Sequence, residues 1–66
     1  MEITVNGFKE TVPDNSKISD LIVIFEEGDA HLVVEHNGRF VYPNKYDSTV
    51  VSEGDRIELI NPSFGG

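Results

Sequence analysis

The chain has no cysteine, no tryptophan, one methionine and three prolines in 66 residues. Without a thiol it can form no disulfide, thiolate nucleophile, iron–sulfur cluster or cysteine zinc site. Basic residues are scarce: five Lys and Arg stand against twelve Asp and Glu, a formal charge of −7. That balance repels phosphate backbones and anionic membranes, which argues against nucleic acid and membrane as partners. It favours encounter with a basic patch on another protein, although acidity alone also serves solubility and identifies no partner. Long apolar runs are missing as well, the longest being residues 21–25, far short of a membrane span. Glu2 stands where a secretory leader would carry positive charge. The expectation is a soluble, cytoplasmic protein.

What remains is an ordinary globular composition, 38% hydrophobic and 26% charged. Sixty-six residues make one domain, and folding at this size buries only about 60% of the unfolded chain's surface. A core and a deep active-site cavity do not both fit.

Residues 1–5 alternate apolar and polar, Asn6-Gly7 follows, and residues 8–12 again contain β-formers, which predicts a β-hairpin. A two-residue turn pairs Val5 with Phe8 and Ile3 with Glu10. Glu10 then shares the apolar face, a placement easier at a sheet edge or with a longer loop. Pro13-Asp14-Asn15-Ser16 breaks the strand, with Ser16 a candidate N-cap. Ile18, Leu21, Ile22 and Phe25 follow at helical spacing, with Gly28 as the expected stop. The β-branched Ile22, Val23 and Ile24 argue for a strand instead. The helix is preferred because Asp20, Glu26 and Glu27 fall off the apolar stripe, leaving Val23 and Ile24 to touch neighbouring loops or a partner.

A second, shorter hairpin spans residues 32–42 around Asn37-Gly38 and stops at Pro43. Residues 43–48 are turn-rich with Tyr46 as an apolar anchor, and Glu53-Gly54-Asp55 turns the chain into a last strand, residues 56–60, with Ile57 and Leu59 on one side. Hairpin, helix, hairpin, irregular crossover and final strand make an α+β layer, a mixed sheet of four to five strands packed on one helix in the β-grasp arrangement. Residues 1–61 form the domain, and residues 62–66 are expected to be a flexible tail.

Conventional active-site chemistry finds little footing. His31 and His36, five residues apart on one extended strand, point to opposite faces and cannot grip one metal ion; they read as partly exposed strand-end histidines. The carboxylates, Glu26-Glu27 included, read as a solvated face, and the serines have no clear base partner. Gly65-Gly66 precedes no helix and is not a phosphate loop. The terminus is the remaining candidate. The bland reading is a frayed end; the functional one is that a tail without Cβ atoms threads a narrow channel and presents an unhindered carboxylate. That carboxylate needs activation, for instance as a mixed anhydride with AMP, and the domain is the handle an activating enzyme grips.

Ile3-Thr4-Val5-Asn6-Gly7, Asn37-Gly38, Glu53-Gly54-Asp55 and the closing Gly65-Gly66 together resemble the ThiS/MoaD family of ubiquitin-like sulfur carriers over the whole chain. The length and the opening are most similar to the ThiS branch, the carriers of thiamine thiazole synthesis. The resemblance implies that Gly66 is adenylated by a ThiF-type enzyme, which consumes ATP, and is then converted to a thiocarboxylate. A ThiG-type thiazole synthase takes up its sulfur. It implies no bound cofactor, no catalytic side chain and no metal in the chain itself. Gly65 provides the slim approach. Phe64 is either an apolar anchor at the mouth of a partner's channel or a ring folded back on its own sheet. Two alternatives stay open: a molybdopterin synthase small subunit or carrier for another sulfur pathway, and a ubiquitin-like interaction or modifier module.

Overall fold

The computed structural model describes residues 1–25 and 27–62. β1 (Glu2–Val5) and β2 (Phe8–Thr11) form the expected hairpin, with Val5 opposite Phe8 and Ile3 opposite Glu10. Asn6 and Gly7 both take positive φ, 51° and 87°. Such a turn matches the twist of the flanking strands, and asparagine and glycine are the residues that adopt it at least cost. α1 (Ile18–Ile24) follows, then β3 (Val33–His36), β4 (Arg39–Val41), a single 3₁₀ turn (Pro43–Lys45) and β5 (Arg56–Ile60).

The five strands lie in the order β2-β1-β5-β3-β4. β1 and β5 run parallel at the centre and all other pairs are antiparallel. Because β2 is an edge strand, half-buried Glu10 keeps access to solvent although it shares the face of Ile3. One sheet face and the helix enclose the core of Ile3, Val5, Val12, Ile18, Leu21, Leu32, Val34, Val41, Val51, Ile57 and Leu59. Ile22, Phe25 and Tyr46 pack against it.

The helix departs from expectation at both ends. Ser16 is not its cap: it is buried, and its hydroxyl donates to the carbonyl of Pro13 at 2.6 Å, closing the turn before the helix. Lys17 is the N-cap residue, and its N–H donates to the Asp20 carboxylate at 2.9 Å. The next N–H groups, of Ile18 and Ser19, donate to the carbonyls of Thr49 and Tyr46. Tertiary contacts thus satisfy the orphan donors that a serine cap would otherwise serve. The helix ends at Ile24 with Phe25 as C-cap, ahead of Gly28. The β-branched run at residues 22–24 restricts side-chain rotamers against the preceding turn and weakens its continuation. Glu26 lies outside the described residues.

Candidate functional site

The residues expected to carry the chemistry, Gly66 with Gly65 and Phe64, lie outside the described residues. Their root is described. β5 is a central strand, paired with β3 through Val33 opposite Ile60 and Val34 opposite Leu59, and with β1 through Thr4 opposite Arg56 and Val5 opposite Ile57. β3 accompanies β5 as far as Ile60 and β1 as far as Ile57, and Asn61 and exposed Pro62 follow the strand.

Where β1 stops at Val5, the N–H of Asn6 still donates to Ile57 O at 2.9 Å. The Asn6 side chain then continues the ladder. Its Oδ1 accepts the Leu59 N–H at 2.8 Å and its Nδ2 donates to the Leu59 carbonyl at 3.1 Å. Sequence reasoning placed Asn6 in a turn and missed this second role. The only available signal was the choice of asparagine, whose amide offers both a donor and an acceptor.

The sheet face away from the helix carries Val33 and Glu35 of β3, Phe40 of β4, Glu58 and Ile60 of β5, and Tyr42 just after β4, by strand alternation and register. Phe40, Tyr42 and Ile60 are 50%, 65% and 43% exposed. The two rings meet edge to face with centroids 4.7 Å apart. Beside the root of the tail there is therefore an apolar surface, and Glu35 stands directly opposite Glu58 within it. Apolar side chains gathered on an exposed sheet face suit transient docking to another protein.

At the other end of β5 lies a polar node. Asp55 Oδ2 accepts from His36 Nε2 at 2.7 Å and from the Ser52 N–H at 2.8 Å, while Asp55 Oδ1 accepts from Asn37 Nδ2 at 3.1 Å. Burial raises the Asp55 pKa, but the hydrogen bonds from His36, Ser52 and Asn37 outweigh it and hold the carboxyl below its ordinary value. An ionised carboxylate only accepts, so Nε2 is the protonated ring nitrogen facing it. Asp55, read with the other carboxylates as part of a solvated face, instead fastens the second hairpin turn to the start of β5. His31 is exposed and hydrogen-bonds through its N–H to Asp29. Among the described residues no group of three or more His, Asp and Glu could hold a metal ion. A surface groove of about 400 Å³ runs between α1 and the preceding loop, where Val23 and Ile24 line it with Pro13, Ser16 and Asp20. It lies on the helix side, away from the apolar sheet face.

Among the described residues one α-helix packs on a five-stranded mixed sheet in which β1 and β5 run parallel, which defines a β-grasp protein. The chain belongs to the ThiS family, whose sequence profile matches residues 1–66. The crystal structure of the thiamine biosynthesis protein ThiS from Geobacter metallireducens is similar to it, with a TM-score of 0.84 at 30% identity over 91% of each chain. An NMR solution structure of a thiamine biosynthesis protein from the same organism gives 0.79 at 30% identity, covering 91% of this chain and 81% of that one. Comparison with curated proteins finds no match. No helix among the described residues is long and apolar enough to cross a membrane.

Proposed function

We propose that this protein carries sulfur for thiamine thiazole synthesis on the main-chain carboxylate of Gly66. The observation that carries the reading is the ThiS family match over residues 1–66, which extends through Gly65-Gly66. In the proposed reaction a ThiF-type enzyme binds the domain, residues 1–61, and receives the tail, residues 62–66. A Gly66 carboxylate oxygen attacks the α-phosphorus of ATP, pyrophosphate leaves, and an acyl-adenylate forms. A sulfide-level sulfur nucleophile then attacks the acyl carbon, the C–O bond to AMP breaks with AMP taking its electron pair, and loss of the sulfur-bound proton leaves the thiocarboxylate for a ThiG-type synthase. The chain supplies no side chain to bond making and binds no cofactor of its own. Its parts in the reaction are the reactive terminus, a glycine approach without Cβ atoms, and the apolar sheet face beside the tail root as the docking surface. The cytoplasm is the proposed compartment, and neither nucleic acid nor membrane is a partner.

The test is intact-mass measurement after incubation with a ThiF-type enzyme, ATP and a sulfur donor. One oxygen of the full chain should be replaced by sulfur, and a chain lacking Gly65 and Gly66 should be unchanged. If the full chain, with competent enzyme and donor, acquires no sulfur, the reading fails.

A further inference from the structure

We infer that Asn6 is a positioning residue for the root of the tail, one that holds the end of β5 from which the chain leaves the sheet; this rests on the carrier reading above. On the β1 side of β5 the main-chain groups of Leu59 have no strand residue to pair with, because β1 turns away after Val5. The Asn6 amide occupies the place of the missing peptide unit. It returns one acceptor and one donor to Leu59, at 2.8 and 3.1 Å. Strand-like restraint on both flanks of β5 thereby extends from Ile57 to Leu59, one residue short of the strand's end. The residue does this from φ 51°, a conformation that asparagine tolerates and that bends β1 out of the way. Aspartate would keep the acceptor and lose the donor. Glycine would keep the turn and lose both.

The same juxtaposition explains why the clamp bears on activation rather than on docking. The apolar docking face is formed by β3, β4 and β5 side chains, and Asn6 adds nothing to it. What the clamp sets is the exit vector of the chain from the sheet. Reaction needs the acyl oxygen in line with the α-phosphorus, so a looser root lowers the fraction of bound carriers in a reactive pose and leaves binding intact.

The experiment compares wild type, Asn6→Gly, Asn6→Asp and the core variant Val51→Ala, which weakens the fold without touching the tail root. Hydrogen exchange and steady-state adenylation by a ThiF-type enzyme are measured at a temperature where all four are folded. In Asn6→Gly the Leu59 amide should exchange about tenfold faster while the β1–β2 amides hold their protection, and kcat should fall about tenfold, the size expected for two lost hydrogen bonds. KM should stay within about twofold, because uniform binding is untouched. Asn6→Asp should fall between wild type and Asn6→Gly, and Val51→Ala should lower the melting temperature with kcat unchanged. Unaltered Leu59 exchange, an unaltered kcat in Asn6→Gly, or an equal fall of kcat in Val51→Ala would each overturn the positioning role. A wild-type chain that competent enzyme never activates overturns the carrier reading itself.

Discussion

Asp55 holds its proton less tightly than an ordinary aspartate with a value of 3.8, because three hydrogen-bond donors outweigh the burial that pushes its pKa up. A carboxyl whose pKa is lower in the folded state contributes stability that is fully present above the unfolded value. That contribution is lost as pH falls through the folded pKa. Replacing Asp55 by asparagine removes the negative charge that His36, Ser52 and Asn37 surround. The variant should be less stable than wild type at neutral pH, and the gap should close in acid below 3.8. Urea midpoints for the two proteins across that range measure it; a gap independent of pH would mean that the ionised form contributes nothing. Asn37 extends the node. Its Oδ1 accepts the Arg56 N–H at 2.8 Å and its own N–H donates to the Arg56 carbonyl at 2.8 Å. Asn6 does for the end of β5 what Asn37 does for its start.

At the scale of elements, each Asn-Gly turn serves first as a turn and then as a clamp on the central strand. The turns were legible because two residues at positive φ demand that chemistry locally. The clamps were not, because Asn6 meets Leu59 and Asn37 meets Asp55 only after the sheet closes. The burial of Ile57 and Leu59 and the helical stripe follow from period, the hairpin register from the two-residue Asn6-Gly7 turn, and the β-grasp arrangement from the order of these elements. The helix ends could not, since carbonyls of residues 46 and 49 cap the helix across the fold. The stripe makes a separable prediction. Ile57 is fully buried and Val23 is 76% exposed. Ile57→Ala should cost about 2–5 kcal/mol of unfolding free energy. Val23→Ala on the helix should stay within about 0.5 kcal/mol. Thermal or urea unfolding distinguishes them, and comparable losses would place Val23 in a packing contact that its exposure denies.

For the molecule as a whole, a charge of −7 on so small a surface and an apolar face beside the tail root pull in different directions. The charge keeps copies of the chain apart, while the apolar face needs a partner. Glu35 and Glu58 bring the two together, because they stand directly opposite each other on that face, both half-buried. Like charges across a strand pair destabilise the sheet, by about 0.2–1 kcal/mol. The free protein therefore bears a small cost that a basic side chain on the partner would remove. Glu58→Gln separates these effects, since the fold and the complex respond with opposite signs. The free variant should melt at an equal or higher temperature than wild type. Its association rate with a ThiF-type enzyme should fall, and the dependence of that rate on salt should flatten, because steering by exposed charge is screened over about 10 Å at 0.1 M ionic strength. Stopped-flow association at several salt concentrations measures both quantities. A rate and salt slope equal to those of wild type would remove this face from the encounter and leave the acidity of the chain to solubility alone.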